Sequence, residues 1–233
     1  MSIDISTYAN LKLVTAPAVE PLDLLTAEGF HRVASDAGGP VDQDFLSLIV
    51  LARQQCETVM RRALLSQQWQ LSLRSWPGRD YQNWPQGVNQ GYDAYYRFDH
   101  VELPYPPLAS VQSVTYTDTS GAVFTMPQGN VAGGYNVDVN FEPGRIVLPY
   151  SQIWPTTILL PGAAIQILYT CGYPDVATLQ TQFEGYASTI QAMKMIIGYC
   201  YENKIPPSEM RRSSIDAGME YVIQQLLTPF RIH

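Results

Sequence analysis

Residues 143–173, PGRIVLPYSQIWPTTILLPGAAIQILYTCGY, constrain the fold of this 233-residue chain more than any other stretch. Proline sets φ for the first turn position and glycine accepts φ > 0 at the second, so Pro143-Gly144 and Pro161-Gly162 read as turns. A short strand, Arg145 to Leu148, leaves the first turn. A crossing that contains Trp154-Pro155 follows. After the second turn, Ile165, Ile167 and Tyr169 share one face of an alternating strand. That strand ends at Cys171-Gly172-Tyr173, directly before a helical pattern.

The same reading extends in both directions. Residues 1–21 carry two prolines, Pro17 and Pro21, and no helical period, which predicts an extended arm. Asp23 is a good N-cap for a first helix to about Val33. After Gly38-Gly39-Pro40, Asp42 reads as a second N-cap. Phe45, Ile49, Ala52, Cys56, Val59 and Ala63 then step by three and four along one helix face. The period changes to two at Trp69, Leu71 and Leu73. Further strands are expected at 97–103, 111–117, 122–126, 135–141, 145–149 and 164–170, with Asp118-Thr119-Ser120-Gly121 turning a hairpin over 111–126. Tyr135, Val137, Val139 and Phe141 alternate. Helical spacing returns at Phe183, Tyr186, Ile190, Met193, Ile197 and Cys200. A last helix, capped by Ser213 or Ser214, carries Ile215, Met219, Val222 and Leu226 and stops at Pro229.

The expected fold class is therefore α+β: a helical bundle from the N- and C-terminal segments with an inserted antiparallel β unit. Neither helical segment makes a good core alone, so each needs the other. Residues 1–65 form the N-terminal arm and one part of the bundle, and 66–172 the β domain. Residues 173–233 supply the C-terminal helices and a terminal arm, Phe230 to His233.

Composition narrows the function. Charged residues make up only 15% of the chain while tyrosine occurs 15 times. Tyrosine is enriched at interfaces and charge is depleted at their cores, and a β-rich domain also favours tyrosine in its strands. The net charge is −7, and the basic residues are scattered pairs, Arg61-Arg62 and Arg211-Arg212. Tight nucleic-acid binding needs clustered cations, so it is not expected. An acidic chain can still surround DNA without holding it. Cys56, Cys171 and Cys200 are far apart and form no CxxC, which favours reduced thiols. No signal peptide or membrane span is expected.

Catalytic signatures are missing. GxSxG, HExxH, GxxxxGK[ST] and GxGxxG do not occur. His31, His100 and His233 are too dispersed for a zinc site. Asp118 reads as a turn former, Asp138 as a solvent-facing residue and Glu142 as part of a turn. No catalytic, cofactor or metal residue is assigned.

The candidate site is instead an interaction surface. The segment 76–105 carries Trp76, Tyr81, Trp84, Tyr92, Tyr95, Tyr96, Phe98 and Tyr105 with glycines between. Such rings suit a loop that docks on a neighbour. They equally suit a cover for the β unit itself, and a sugar-binding platform is a third reading. Phe230, Arg231 and Ile232 form the second candidate, an arm that leaves the globular body and inserts into a partner's groove.

The order of several motifs resembles that of the head–tail connector (adaptor, or head-completion) proteins of tailed phages and phage-derived gene transfer agents. The similar passages are Ala18-Val19-Glu20-Pro21-Leu22 with Arg32-Val33, then Arg61 to Trp69, similar to "RAL..Q.W". Leu103 to Tyr116 is similar to "LP.PPL.SV.SV.Y". The 143–173 block follows, then Tyr199 to Asn203, similar to "WYENR", and Leu226 to Arg231, similar to "LL.PYR". The chain departs at His31, where an apolar residue is usual, at Tyr199 in place of Trp, and in a longer, more aromatic 75–96 segment. The resemblance implies a structural protein without chemistry or cofactor. It implies a homo-oligomeric ring, a dodecamer in the particle, that follows the portal's symmetry beneath it in the virion neck. Such a ring extends the DNA channel without tight DNA binding and docks the next neck or tail protein. The protein would be made in the bacterial host cytoplasm and would touch no membrane. The alternative is a β-rich tail or baseplate module that recognises glycans or other tail proteins.

Overall fold

The computed structural model describes residues 9–33, 36, 38–77, 100–203 and 217–232. The chain divides into two compact units. Unit 1 comprises residues 1–16 and 67–172, and unit 2 comprises 17–66 and 173–233. The fold is mixed α+β.

Unit 1 holds two antiparallel sheets. The larger contains β1 (Ala9–Thr15), β2 (Gln67–Leu73), β8 (Ile165–Cys171), β4 (Leu108–Thr117) and β5 (Val123–Thr125), in the order β1-β2-β8-β4-β5. The smaller has the order β3 (His100–Glu102), β7 (Arg145–Val147), β6 (Asn136–Asp138). Register follows from alternation, because every second residue of a strand faces the same side. One row pairs Leu11 with Leu71, Leu71 with Ile167 and Ile167 with Val114. The next pairs Leu13 with Trp69, Trp69 with Tyr169 and Tyr169 with Val111. Leu71, Ile167, Val114 and Tyr169 are buried. The Tyr169 hydroxyl donates to the Pro104 carbonyl at 3.0 Å, so the burial strands no polar group.

Several elements differ from the sequence reading. The 1–21 segment is not simply an arm, because Ala9–Thr15 extends the larger sheet beside β2. Of the two Pro-Gly turns, only Gly162 adopts positive φ, at 112°. Gly144 is required for another reason: a Cβ there would overlap the Leu108 side chain. Val139 and Phe141, which continue the Tyr135 alternation, are exposed, since β6 ends at Asp138. Asp138 is not free in solvent. It pairs with Arg145 at 3.0 Å, and the Arg145 guanidinium lies over the Phe141 ring at 4.0 Å.

Unit 2 is helical: α1 (Leu24–His31), α2 (Pro40–Met60), α3 (Val176–Gln182), α4 (Tyr186–Glu202) and α5 (Ala217–Leu227). Asp23 caps α1, accepting from the Thr26 N–H at 2.8 Å. Phe45, Ile49, Ala52 and Cys56 of α2 pack in one core with Met193, Ile197 and Cys200 of α4. The predicted single helix around Phe183 is two, because Phe183 turns extended and Gly185 caps the next helix. In the last stripe, Met219 and Leu226 pack against the core as expected, but Val222 does not. Ile223 and Leu227 are buried while Val222 is exposed. Ile215, Ser213 and Ser214 lie outside the described residues.

Two polar devices hold unit 2. Arg53, 2% exposed, donates from Nε to Glu20 Oε2 at 2.8 Å and from Nη1 to Glu57 Oε2 at 2.7 Å. The second Glu57 oxygen accepts the Leu64 N–H at 2.9 Å. At the other end of α2, Asp42 is not the N-cap residue; Gly39 is. Asp42 reaches back to the N–H groups of Gly38 (2.7 Å) and Asp36 (3.0 Å), while Asp36 accepts from Val41 and Asp42. Those two donors hold the Asp42 carboxyl well below the carboxylate range. Buried Glu28 is pushed up, first by burial and then by its hydrogen bond and charge contact with Asp42. Of the two carboxyls, Glu28 therefore keeps its proton to higher pH than Asp42 does.

The sign of the pH dependence follows. Glu28 has a folded value above its ordinary 4.5, so its contribution to stability is full below about pH 4.5 and lost as pH rises through the folded value. Asp42 works in the opposite sense, its contribution being present above about 3.8 and lost as pH falls through the lowered value. Glu28→Gln should keep a donor for Asp42 and remove the first titration. Urea denaturation from pH 5 to 8 should then show a flatter stability profile than wild type, with the variant at least as stable at pH 7. A variant that is less stable than wild type at pH 7 would mean that Glu28 is ionised there.

Candidate assembly surfaces

Trp76 and Tyr105 are the described members of the first candidate set, and Trp76 does not face outward. It is 1% exposed and stacks on Trp154, with centroids 4.6 Å apart and planes within 7°. Its edge meets Tyr116 at 6.0 Å, and Tyr116 in turn stacks on Phe124 at 5.3 Å. Trp69 and Tyr105 form a second stack at 4.7 Å. All of these rings belong to unit 1. The physical reason is area: two indoles bury each other more fully than either can bury itself against a flat sheet. Among the described residues, neither the Trp69 nor the Trp76 indole N–H meets an acceptor. Tyr81, Trp84, Tyr92, Tyr95, Tyr96 and Phe98 lie outside the described residues.

The second candidate also turns inward. Beyond α5 the chain makes a 3₁₀ turn, Thr228–Phe230, and folds back on unit 2. The half-buried Phe230 ring meets Phe183 edge-on at 5.7 Å, and the Ile232 N–H donates to the Met60 carbonyl at 3.0 Å. Gly185 makes room, since a Cβ there would strike both Phe183 and Phe230. Arg231 remains exposed. The expectation of an arm leaving the body is thus corrected for Phe230 and Ile232. A bare aromatic gains more from a ring pocket on its own helices than from solvent.

Other candidates resolve as structure. Asp118 accepts from the N–H groups of Ser120 and Ala122 and builds its turn. His31 packs against Gly198, where a Cβ would collide with it, and its Nε2 lies 3.1 Å from the Lys194 carbonyl. Burial holds its imidazole below the usual value. The departure from an apolar residue at this position is therefore a ring that packs against a helix glycine and also meets a helix carbonyl. The three thiols are buried, and burial pushes Cys56 up to about 12 and Cys200 up to about 11. Among the described residues, no group of His, Cys, Asp and Glu is placed to hold a metal ion, and no helix is long and apolar enough to cross a membrane. His233 lies outside the described residues.

The outward-facing apolar groups are ones that motif reading passes over. Tyr150 is 97%, Ile153 72% and Ile158 76% exposed, all in the irregular stretch between β7 and β8. Trp154, between them, anchors the stretch through its stack on Trp76. Val123 and Phe124 on edge strand β5 are exposed as well. The sequence signal was present: apolar side chains among Pro149, Pro155 and Pro161, which cannot lie in a central strand.

Solved structures match this arrangement along nearly its whole length. A chain from the neck of an empty gene transfer agent particle, computed with C6 symmetry, superposes with a TM-score of 0.64 at 19% identity, covering 96% of each chain. The fold is that of gene transfer agent neck chains. A chain from the virion of a native particle gives a TM-score of 0.62 at 19% identity, over 96% of this chain and 95% of that one. One from the neck of a native particle computed with C12 symmetry gives 0.59 at 20%, over 96% of each. No protein-family model and no curated protein sequence matches the chain.

Two variants test the inward placements. Trp154→Ala should remove the Trp76 stack and cost about 3 kcal/mol or more in urea unfolding. Phe230→Ala should cost about 2 kcal/mol, a drop of several degrees in Tm, with no partner present. A Phe230→Ala melt identical to wild type would return this ring to the role of a free docking arm.

Proposed function

We propose that this chain is a head–tail connector (adaptor): a structural component of the neck of a tailed-phage-like particle, acting without catalysis. The observation that carries the reading is the end-to-end match, 96% of both chains, to chains from gene transfer agent necks. Those necks were computed with C6 and C12 symmetry, which supports a homo-oligomeric ring here, a dodecamer in the particle. In this reading the ring sits between the portal and the next neck or tail protein and extends the DNA channel. The helices from both chain ends act as one bundle, and the 67–172 segment is an insertion that presents sheets and loops to neighbours. The exposed Arg231, and the segment with Tyr81, Trp84, Tyr92 and Tyr95, are proposed as contacts with the portal or neck proteins. A net charge of −7 supports a channel lining that DNA slides past. A helical unit built from residues 17–66 and 173–233 disfavours a glycan-recognising tail module, which would be nearly all β.

The test is direct. Particles made without this chain should accumulate as DNA-containing heads without tails. Particles carrying an affinity-tagged copy should show label confined to the neck when imaged. Complete, tailed particles in its absence, or label at the tail tip, would overturn the proposal.

A further inference from the structure

We infer that the outward apolar stretch of unit 1 that carries Tyr150, Ile153 and Ile158, together with the edge strand β5, is the surface through which one copy of this chain contacts the next. The inference rests on the ring reading above and goes beyond it by naming the contact.

Charge is the first argument. Identical chains of net charge −7 repel one another, so close approach requires a patch from which charge is missing. Between Arg145 and Asp175 lie 29 residues without one Asp, Glu, Lys or Arg, the longest such run in the chain. The exposed part of that run carries Tyr150, Ile153 and Ile158. Between Asp118 and Asp138 a second run of 19 residues contains β5. Edge strands are normally blunted by charge, proline or a bulge. Strand β5 has none of these, and Val123 and Phe124 are 66% and 42% exposed. Among the described residues no strand covers this edge, and an edge of this kind is an aggregation hazard in a free monomer and an asset in an assembly.

Rigidity is the second. A stack of rings runs Phe124–Tyr116–Trp76–Trp154, with successive centroids 5.3, 6.0 and 4.6 Å apart. It ties the exposed edge to the anchor of the 150–160 stretch. The Leu160 N–H also donates to the Thr117 carbonyl at 3.0 Å, and Leu159 bridges Asp118. The outward side chains therefore stand on a fixed base, and little ordering entropy is lost when they are covered. Symmetry is the third argument. In a cyclic ring each copy offers one surface to the neighbour ahead and a different one to the neighbour behind, so one such face per chain suffices. Interface cores are depleted in charge and rich in aromatic side chains, and these two runs of sequence are uncharged and expose Tyr150 and Phe124.

The experiment uses assembled particles and the purified full-length chain. A photo-crosslinking amino acid in place of Ile158 should give, on irradiation of particles, a covalent product of two copies of this chain. The same group in place of Leu25, exposed in unit 2, should not. In parallel, I153D/I158D should raise the concentration at which the purified chain forms rings by roughly tenfold or more, with an unchanged melt because both sites are on the surface. Crosslinking of position 158 to a different neck protein, or rings that form as readily with I153D/I158D, would overturn this face while leaving the ring intact. Absence of the chain from particle necks would instead overturn the ring reading and this inference with it.

Discussion

Unit 2 depends on one buried guanidinium. Arg53 is almost wholly withdrawn from water, yet its fork meets a carboxylate on each side, and one of those carboxylates also takes a backbone N–H. Burial raises both Glu20 and Glu57, which measures how reluctantly the charges leave water. The arrangement persists because each group is fully engaged. Removing one partner from such a site costs about 3–5 kcal/mol, since the remaining charge stays buried alone. Glu20 lies just after the chain enters unit 2 and Leu64 just before it leaves. Arg53 therefore fixes both points against α2, and the core of Phe45, Ile49 and Cys56 packs around a helix whose flanks are already set.

Much of this fold is legible in the sequence because apolar spacing is a local signal. The stripes of α2 and α4, the Asp23 cap and the strands from 108 to 171 follow from period and turn chemistry alone. The misses share a cause, which is that distant contacts decided them. Ala9–Thr15 becomes a strand because β2 offers a free edge, not because its own sequence demands one. The α5 stripe widens because Ile223 and Leu227 meet the core beside Met219 and Leu226, while Val222 does not. The predicted helix breaks at Phe183 because that ring fills a pocket beside Tyr173 and Phe230.

The candidate surfaces were less legible than the fold, and for a physical reason. Aromatic residues in a loop look the same in sequence whether they face in or out. Trp76 and Phe230 face in, each held by another ring that is distant in sequence: Trp154 for one, Phe183 for the other. Among the described large apolar residues of unit 1, exposure is instead greatest at Tyr150, Ile153 and Ile158, between prolines that prevent the stretch from joining either sheet. The informative pattern is the lack of charge around these side chains, since an apolar group meant for permanent solvent exposure is usually flanked by polar ones.

The same accounting bears on DNA. A channel wall must let a polyanion pass, so its cations should be few and already engaged. Among the described residues, Arg53 serves Glu20 and Glu57, and Arg145 serves Asp138 over the Phe141 face. Lys194 sits 4.9 Å above the Phe30 ring. Arg62, half of a basic pair that could be read as a phosphate contact, is 8% exposed with its guanidinium 5.4 Å from the Phe183 ring centroid. A cation spent on a ring or a buried carboxylate releases no counterion from DNA, so it adds nothing to the salt-dependent affinity that holds proteins on a duplex. Lys12, Arg32, Arg61, Arg74 and Arg231 are exposed, so what opposes tight DNA binding is the net charge of −7 together with the internal use of Arg53, Arg62, Arg145 and Lys194.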